Sequence, residues 1–440
     1  MAEKQSHQDG RPAVLVVLAR PQDRSLAKLT KTRSCTGDFV NFWFRTILAI
    51  ALSTLVPFSS PTAKELKKNL PIHPPSSQSS IEPLQNLPSG IRVFCTIETR
   101  CDLDEFVRKT GVCALFVIKG RTTRIEEYRG ADTCEKGKNG PYKLYDIASM
   151  AKSLTSTLVG QVLAERYHLQ TREQFERIMT RKLGSFLTLP HRMKLADGYA
   201  KVSMDDLLSM RSNIQWRESG SPWLLSDEVY YQDKVRVPPR KQNLIGFASR
   251  YRLARQPPSQ FNYSALDVAM AIAVVKDLSP ARPPLKQFER GIWAMIGAAH
   301  EASWNVDIDG DPSGPCCFRA RIDDLARFGR FALDKGQGRG VPAAWFDLAT
   351  APLKGRFDEL DKESDHADPS CELGYGYYWW LRRNRRDYFA FGRFGQFIHV
   401  YPEDDVVIVQ LSDWRTVPAD KHIRCITLKS HDAIVRRLRN

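Results

Sequence analysis

The stretch YDIASMAKSLTSTLVGQVLAE, residues 145–165, raises the question on which the interpretation of this chain depends. Ser149 stands three residues before Lys152 inside a run that otherwise reads as an apolar helix, and side chains three apart share one face of a helix. The same spacing occurs at Ser25 and Lys28, in a charged stretch where a buried site is implausible. Spacing alone therefore does not separate a catalytic pair from two ordinary helical residues.

A serine hydroxyl is a weak nucleophile at neutral pH, so covalent catalysis by Ser149 needs a base within hydrogen-bond reach. Lys152 lies one helical turn further on. A lysine held among apolar groups loses stabilisation of its charge, so its pKa falls and it can accept the serine proton. The alternative is a surface serine beside a solvated lysine, and only the rest of the chain can decide between the two.

Length and composition predict a globular protein. With 440 residues, 42% hydrophobic and 10% aromatic, the chain can bury a large core in one to three domains. The formal charge of +15 comes from Lys and Arg residues scattered among acids, without a basic stripe interleaved with aromatics. This distribution predicts a basic surface and no nucleic-acid partner. A nucleic-acid binder remains a weaker alternative, which salt-dependent retention on DNA would reveal.

The nine cysteines contain no Cys-x-x-Cys pair with a histidine partner, so we predict neither a metal site nor a cofactor. Four of them, at positions 95, 101, 113 and 134, precede the quoted helix. They would suit one or two disulfides if the protein is exported.

The N-terminal part of the chain suggests export. Residues 42–58, FWFRTILAIALSTLVPF, form an apolar run that looks like a signal segment or a membrane anchor. It is shorter than the ~20 residues of a membrane-spanning helix. We divide the chain into an extension (1–60), a Pro/Ser-rich linker (61–90) and a folded domain (91–440). The predicted location is periplasmic or secreted, with possible membrane association through the N-terminus, and a cytoplasmic protein with an N-terminal helix is the alternative.

The order of predicted elements is strands, many helices, then strands. Residues 112–130 read as a hairpin with a turn at Lys119 to Arg121, and 387–413 as two strands around a turn at Pro402 to Asp405. Between them lie the quoted helix, with Asp146 as its N-cap, and three further helices, at 202–210, 264–279 and 321–336. This order predicts an α/β or α+β domain in which the terminal strands share one antiparallel sheet beside a helical subdomain.

Four ordered blocks make the pattern more specific. The opening YDIASMAKSLTS is followed by VSMDDLLSMRSNIQW, then QFNYSALDVAMA, then FGRFGQF. This series resembles the serine β-lactamase and penicillin-binding superfamily, and most of all its class C-like branch with the 6-aminohexanoate-dimer hydrolases and related esterases. Further marks are IWAMIGAAHEASWNVDIDG and RARIDDLARFGRFALDKG. The resemblance runs from about residue 110 to the C-terminus and implies a β-lactamase-like fold.

The resemblance also implies roles for individual residues. Ser149 would be the nucleophile, Lys152 its proton acceptor and Tyr263 a second base, which suits general acid–base work because a phenol near Lys152⁺ is drawn toward phenolate. The oxyanion would be held by the backbone N–H of Ser149 and by an N–H just after Gly395. Gln396 follows Gly395 in the same strand and joins it as a predicted substrate-binding residue.

Two positions depart from the family pattern. Ala265 stands where the family's Tyr-x-Asn has its amide, and Arg393 begins Arg-Phe-Gly where relatives have Lys-Thr-Gly. These departures argue against a true β-lactamase more than against a hydrolase. A guanidinium at the site mouth can grip a carboxylate, so we predict a substrate carrying one, unless Arg393 pairs with Asp387 or Glu372. Trp216 lies in the insertion where relatives shape the pocket, and its alternative role is packing.

These observations together predict a serine hydrolase that cleaves a small amide or ester through an acyl-enzyme on Ser149. The alternatives are a DD-peptidase or β-lactamase, or a catalytically idle member that binds a peptide or a peptidoglycan fragment. The natural substrate and the oligomeric state stay open.

Overall fold

The computed structural model describes residues 69–76, 90–128, 140–218, 227, 231–236, 242–254, 260–351 and 365–439. The predicted extension at 1–60, with its apolar run, and Cys35 and Cys134 lie outside the described residues. Within the described part of the chain, no helix combines the length and the apolar character needed to cross a bilayer.

The described strands pair in three antiparallel sheets. The strands are β1 Asn69–Ile72, β2 Arg92–Phe94, β3 Arg100–Asp102, β4 Val112–Lys119, β5 Thr122–Tyr128, β6 Tyr145–Asp146, β7 Ala302–Asn305, β8 Phe318–Ala320, β9 Leu373–Tyr375, β10 Trp380–Arg382, β11 Tyr388–Gly392, β12 Gln396–Tyr401 and β13 Val406–Ser412. The large sheet has seven strands in the order β5-β4-β13-β12-β11-β10-β9, so strands from both ends of the domain lie side by side. A second sheet has the order β1-β7-β8-β6, and β2 pairs with β3.

The described α-helices fall mainly between the two sets of strands. They are α1 Leu103–Lys109, α2 Ala151–Tyr167, α3 Arg172–Met179, α4 Leu189–Lys194, α5 Met204–Leu208, α6 Leu244–Ala248, α7 Ala265–Leu278, α8 Pro284–Phe288, α9 Ile322–Leu333, α10 Ala343–Ala349 and α11 Ile423–Arg439. The α/β architecture with an antiparallel sheet flanked by helices, predicted from the order of the sequence blocks, is confirmed.

The large sheet is buried on both faces because alternate residues of its central strands point into two different cores. On β13, Val407 and Val409 join the core that contains α2 and α9, whereas Val406 and Ile408 join the core under α11. The approach of α9 is close, since a Cβ on Gly329 would lie 2.5 Å from Val407 Cγ1. A strand buried on both faces reads as a continuous apolar run, which is how β13 reads in the sequence.

Helices α2 and α7 form the inner layer that carries the site. Residues 151–164 of α2 and 265–275 of α7 are buried on every side. Close contacts explain the glycines nearby: a Cβ on Gly160 would lie 2.5 Å from the Trp345 ring, and one on Gly291 would lie 2.3 Å from Gln161 Oε1. A helix that is packed on every side has little freedom to move, so the side chains at its N-terminus keep fixed positions.

Five of the described cysteines are disulfide-bonded, three in the cluster expected from the sequence and two in the C-terminal part. Cys95 is bonded to Cys101, and Cys371 to Cys425, which ties the start of β9 to α11. Cys113 is also disulfide-bonded. The prediction of a disulfide within the cluster before α2 is therefore confirmed.

Two predicted segments differ in the structure. Residues 69–72, within the predicted linker 61–90, form β1, whose Ile72 is fully buried against β7. Residues 387–413 contain three strands where two were predicted. The left-handed φ angles of Phe394 and Gly395, 68° and 90°, reverse the chain between β11 and β12.

Two helix boundaries also differ from the prediction. Asp146 is not the N-cap of α2, because it ends strand β6 and its carboxylate accepts the N–H of Ala148, ahead of the helix. Helix α9 ends at Leu333 instead of Gly336, because Lys335 and Gly336 have left-handed φ angles of 49° and 78°, which no right-handed helix can continue.

Candidate active site

Ser149 lies in a single 3₁₀ turn, Ala148–Met150, that leads directly into α2. Ala148 has a left-handed φ of 47°, an uncommon conformation for a residue with a Cβ. The turn is held against the end of β11, where a Cβ on Gly392 would lie 2.5 Å from the carbonyl oxygen of Ile147. Strained backbone of this kind persists where the surrounding structure fixes it, and it often marks a functional residue. Here it presents Ser149, half-buried, at the helix N-terminus.

Lys152 is 3% exposed, and the described contacts of its ammonium are with a hydroxyl, a backbone carbonyl and an aromatic ring. Nζ lies 3.0 Å from Ser149 Oγ and donates to the carbonyl oxygen of Pro315 at 3.1 Å. It also lies 4.6 Å from the centroid of the Tyr263 ring, within the range of a cation–π contact. The structure thus brings together the three residues predicted to be catalytic.

The charge state of Lys152 differs from the prediction. Burial lowers its pKa, but the charges of Tyr263, Glu218 and Cys316 and a hydrogen bond with Tyr263 raise it, and the net pKa lies above the ordinary value for lysine. Lys152 is therefore an ammonium at neutral pH in the resting site. The predicted fall in its pKa is wrong, because the sequence showed the apolar helix but not the groups that surround its end.

Tyr263 is positioned by the residue that precedes it. The N–H of Asn262 donates to the carbonyl of Met210 at 2.8 Å, and the side-chain amide of Asn262 donates to the carbonyl of Trp216 at 3.0 Å. The Tyr263 ring stacks on Trp380 with an interplanar angle of 24°. These contacts fix the phenol over Lys152 before any substrate is present.

Beneath Tyr263, the first residues of α7 are anchored by a buried carboxylate. Asp267 accepts hydrogen bonds from the hydroxyls of Tyr199 and Ser212, both at 2.8 Å. Burial raises the pKa of Asp267 to about 7, and the hydrogen bonds oppose that rise. The backbone N–H of Asp267 donates to the side chain of Ser264, the N-cap of α7. Asp267 therefore links the segment that carries Tyr263 to the loop before Trp216, which contains Ser212.

Ser149 opens into a cavity of about 570 Å³. Its wall carries several charged side chains and two adjacent cysteines, and its described lining is Asp146, Ala148, Ser149, Glu218, Arg236, Tyr263, Cys316, Cys317, Trp380, Phe391, Arg393, Phe394, Trp414 and Arg424. A second cavity of about 840 Å³ lies next to it, and Asp146, Ala148, Arg393 and Phe394 line both. Ser149 therefore faces an open cleft that continues past Arg393.

A scan against family models matches residues 103–426 to the family described as Beta-lactamase. The match covers well over half of the chain. The protein belongs to the β-lactamase family. The resemblance inferred from the ordered sequence blocks is thereby confirmed. A search of curated protein sequences finds no match to this chain.

Solved structures of the β-lactamase fold resemble the chain at low sequence identity. A protein named as a 6-aminohexanoate-dimer hydrolase from Bacillus anthracis has a TM-score of 0.67 and 18% identity, over 84% of this chain and 91% of the other. EstCE1, named as a hydrolase with promiscuous acyltransferase activity, has a TM-score of 0.53 and 14% identity, over 76% and 96%. A protein named as a β-lactamase from Bacteroides dorei has a TM-score of 0.52 and 16% identity, over 77% and 97%. At these identities the likeness shows the fold.

Glu218 is a site residue that the sequence reasoning missed. Its Oε2 accepts the indole N–H of Trp216 at 2.6 Å and the backbone N–H of Ala265 at 2.7 Å. The family pattern has a side-chain amide at the position of Ala265. In this protein the Glu218 carboxylate, which comes from a different loop, contacts the backbone at that position. Glu218 also lines the Ser149 cavity, and its negative charge raises the pKa of Lys152. The alanine at 265 was the available signal, but nothing in the sequence links it to residue 218.

Arg393 lies where the sequence predicted, at the mouth of the site. It is exposed and lines both cavities. The two acids considered as its alternative partners are engaged elsewhere: Asp387 accepts from Arg382 and Arg385, and Glu372 pairs with Arg383.

The remaining predicted substrate-binding residues do not line the described wall of the Ser149 cavity. The Gln396 amide donates to the carbonyl of Ser412 at 2.6 Å, and Gln396 lines the neighbouring cavity. Gly395 is required by packing, since a Cβ there would lie 2.4 Å from Trp414 Nε1. Trp216 is 4% exposed and packs against Tyr231, Phe247 and Tyr251. Its contact with the site is indirect, through Glu218.

Among the described residues, three groups of side chains could hold a metal ion. The two cysteines of one group are bonded to each other as a disulfide, and each of the other two groups, which are rich in acids, already contains a cation of the protein. In the first acidic group, Lys276 Nζ lies 3.2 Å from Asp309 and 2.6 Å from Asp311. In the second, Arg327 lies 2.9 Å from Asp323 and 3.0 Å from Asp324. Neither acidic group includes a residue of the described wall of the Ser149 cavity.

Proposed function

We propose that the protein is a serine hydrolase that cleaves a small amide or ester through an acyl-enzyme on Ser149. The observation that carries the proposal is the contact of 3.0 Å between Ser149 Oγ and Lys152 Nζ, with Tyr263 over the ammonium, at the wall of an open cavity. Membership of the β-lactamase family supports the same reaction class.

In the proposed mechanism the Lys152–Tyr263 pair acts as a unit. Because Lys152 is an ammonium in the resting site, it accepts no proton from Ser149 unless it first gives one up. In the reactive form Tyr263 has already released its proton to solvent, and Lys152 stabilises the negative charge on its oxygen. That phenolate oxygen takes the serine proton as Ser149 Oγ attacks the carbonyl carbon, and Tyr263 becomes a neutral phenol. The pair then returns the proton to the leaving amine or alcohol. Water cleaves the acyl-enzyme by the same transfers in the opposite order.

The negative charge on the tetrahedral oxygen needs donors that are in place before the reaction. We assign the backbone N–H of Ser149, at the start of α2, and an N–H from the β11–β12 turn that begins at Arg393. The N-terminus of a helix carries a partial positive charge, which stabilises a nearby anion. Hydrogen-bond donors that are already in place stabilise the negative charge that develops only in the transition state.

The proposed substrate carries a carboxylate several atoms from the scissile bond, as a short linear amide or a peptide-like acid would. Arg393 stands between the two cavities, and Arg236 and Arg424 also line the one that holds Ser149. A guanidinium can grip a carboxylate with two parallel hydrogen bonds, which fixes the orientation of the substrate.

The proposal is tested by treating the protein with a fluorophosphonate and mapping the adduct by mass spectrometry. We expect a single adduct on Ser149, none in Ser149→Ala, and normal labelling in Ser156→Ala. Ser156 is the matched control because it is a buried serine of the same helix whose hydroxyl has no hydrogen-bond partner among the described residues. Labelling that persists in Ser149→Ala contradicts the proposal. Absence of any adduct favours the idle, ligand-binding alternative.

We also propose that the protein is exported. The apolar run at 42–58 supports this, as do the Cys95–Cys101 and Cys371–Cys425 bonds, because disulfides persist mainly in oxidising compartments. Thiol titration of the unfolded, unreduced protein from its natural source tests the idea. Fewer than eight free thiols among the cysteines after residue 42 are expected, and eight free thiols would favour the cytoplasm.

A further inference from the structure

Two adjacent cysteines, Cys316 and Cys317, line the cavity that holds Ser149. Both are free thiols and half-buried, unlike the described disulfide-bonded cysteines, which lie elsewhere in the fold. They lie on the loop between β7 and β8 that also supplies the carbonyl of Pro315 to Lys152. A change at either sulfur therefore takes place at the wall of the Ser149 cavity, within two residues of Pro315, which contacts Lys152.

The backbone of this loop is held at successive residues. The carbonyl of Gly314 accepts from Thr155 at 3.1 Å, and that of Cys316 accepts the indole N–H of Trp304 at 2.9 Å. The carbonyl of Cys317 accepts the N–H of Asn305 at 3.1 Å. Cys317 keeps a left-handed φ of 66°, which is unfavourable for a residue with a Cβ. The two thiols thus have fixed positions relative to each other and to the cavity.

The surroundings make the two thiols chemically unequal. A hydrogen bond from the Cys317 thiol lowers the pKa of Cys316; burial raises it, and the charges of Arg236 and Lys152 lower it, with a net decrease. The pKa of Cys317 is raised, first by its hydrogen bond to Cys316 and then by burial. Arg236 donates to the Cys317 sulfur. The charge of Arg236 lowers the pKa of both thiols. The thiolate is the reactive form of cysteine, so the opposite net directions point to Cys316 as the attacking thiol and to Cys317 as its proton-bearing neighbour.

We propose that Cys316 and Cys317 form a modification site for low-molecular-weight disulfides, which closes to a Cys316–Cys317 disulfide and thereby stops turnover at Ser149. In the first step the Cys316 thiolate attacks one sulfur of the disulfide, forms a mixed disulfide and releases one thiolate. In the second step Cys317 loses its proton, attacks the Cys316 sulfur and releases the second thiolate. The protein dithiol is oxidised, and the small disulfide is reduced to two thiols.

The consequence for the site follows from position. A group attached to Cys316 occupies the cavity into which Ser149 opens. Ring closure between adjacent residues then requires a change in the backbone of Cys316 and Cys317, directly after Pro315, whose carbonyl accepts a hydrogen bond from Lys152. The reactivity of the pair stands on its own, whereas the effect on turnover rests on the proposed hydrolase function.

The probe is glutathione disulfide, applied to the full chain after a brief native reduction, with peptide mapping by mass spectrometry. In the wild type we expect the peptide that contains both cysteines to lose two hydrogens, with no lasting glutathione adduct. In Cys317→Ser the adduct should persist on Cys316, because the second step is removed. In Cys316→Ser, Cys317 should react much more slowly. Unmodified thiols after long exposure, or equal rates in the two variants, would overturn the proposal.

The link to turnover is measured on the same samples with an activated ester, each variant against its own untreated sample. Oxidised wild type should fall to the rate of Ser149→Ala and recover with dithiothreitol, and the double variant Cys316→Ser/Cys317→Ser should not respond to either reagent. Full oxidation without loss of turnover would overturn the link. If no variant hydrolyses any ester, the proposed function fails, and the mass data still decide the reactivity of the pair.

Discussion

Two buried cations, Lys152 and Arg382, lie in contrasting surroundings. The Arg382 side chain is fully buried and is paired at 2.6 Å with both Asp387 and Asp432. Lys152 is almost as deeply buried, but its close partners are a serine hydroxyl, a backbone carbonyl and an aromatic ring. Burying a charge without a counterion is costly, so chains normally avoid it.

The contrast separates a structural cation from a chemical one. Asp387 also accepts from His399, and Tyr401 donates to Asp432, so the Arg382 network satisfies itself and joins β10, β12 and α11. Lys152 contacts groups that the proposed reaction uses, namely the hydroxyl of Ser149 and the phenol of Tyr263. We therefore expect substitutions at Arg382 to affect stability and substitutions at Lys152 to affect rate.

The largest expected effect is on acylation. Lys152→Ala and Tyr263→Phe should each lower the acylation rate by roughly 10²- to 10⁴-fold, because each removes a general acid–base group, and both should leave the fold intact. Stopped-flow acylation by an activated ester measures this. Lys276→Ala is the control, since Lys276 is paired with Asp309 and Asp311 away from the cavity. Full turnover of Tyr263→Phe on both esters and amides would remove the tyrosine from the mechanism.

The next effect is on stability, at the other cation. Arg382→Ala should lower the free energy of unfolding by about 3–5 kcal/mol, because Asp387 and Asp432 are left as buried charges without their main partner. Urea unfolding provides the value. Arg383→Ala serves as the matched control, since its pair with Glu372 is partly exposed, and it should change stability by no more than about 1 kcal/mol. Similar losses in the two variants would show that the network has no special role.

The third effect concerns the substrate. If Arg393 binds the carboxylate, a substrate with a free acid should have a higher kcat/KM than its methyl ester, by a factor that corresponds to about 1.5–3 kcal/mol of transition-state stabilisation. Arg393→Ala should remove that advantage. Arg386→Ala is a suitable control, because Arg386 is 81% exposed and does not line the described wall of either cavity. Equal losses on the acid and the ester would make Arg393 structural, and the carboxylate inference would then be dropped.

The fourth prediction compares the pH dependence of the two regions. Burial lowers the pKa of His431 well below its ordinary value, so the unfolded chain binds its proton first as the pH falls. Its contribution to stability is full above a pH of about 6.5 and is lost on acidification. His431→Gln should therefore flatten the loss of unfolding free energy between neutral and mildly acidic pH. A variant as acid-sensitive as the wild type would contradict this.

Asp267, under the site, should show the opposite sign. Its pKa is raised to about 7, so its contribution is fully present below the ordinary Asp pKa of about 3.9 and is lost as the pH rises from there to about 7. Asp267→Asn should therefore gain stability relative to the wild type as the pH rises from about 4 to about 7, in the same unfolding experiment. A constant difference across this range would show that the carboxyl does not titrate in the folded protein.

The smallest effect is a shift in the pH–rate profile. Glu218→Gln keeps an oxygen for the Ala265 N–H but removes a negative charge that raises the pKa of Lys152. The alkaline limb of ester hydrolysis should therefore move to lower pH. Glu165→Gln is the control, since Glu165 binds Gln161 and Gln287 away from the cavity. An unchanged alkaline limb would show that Lys152 does not set it.

The local parts of the site were predictable from the sequence. Ser149 and Lys152 meet because three residues make almost one helical turn, and this geometry is the same in any helix. The hairpin of β4 and β5 has its turn where polar residues interrupt two apolar runs, and the described turn lies at the same place. The place of Tyr263 came from the order of the family's blocks, which the resemblance supplied.

Features that depend on backbone conformation were less predictable. The reversal at Phe394 and Gly395, which separates β11 from β12, is stabilised by packing of Gly395 on Trp414. The strand at 69–72 exists only because β7 offers an edge to it, and its own composition reads as a linker. In both cases the deciding partner is distant in sequence.

The sequence by itself determined the fold class, the family and the pairing of Ser149 with Lys152. These follow from the alternation of apolar and polar residues in strands, from the spacing of residues in a helix and from the order of the sequence motifs, all of which are properties of the linear sequence. Only the tertiary structure decided the charge of Lys152. The carbonyl of Pro315 comes from 163 residues away, and Tyr263 and Glu218 come from two other segments. A pKa depends on the sum of burial and all neighbouring charges, and that sum does not exist until the chain has folded.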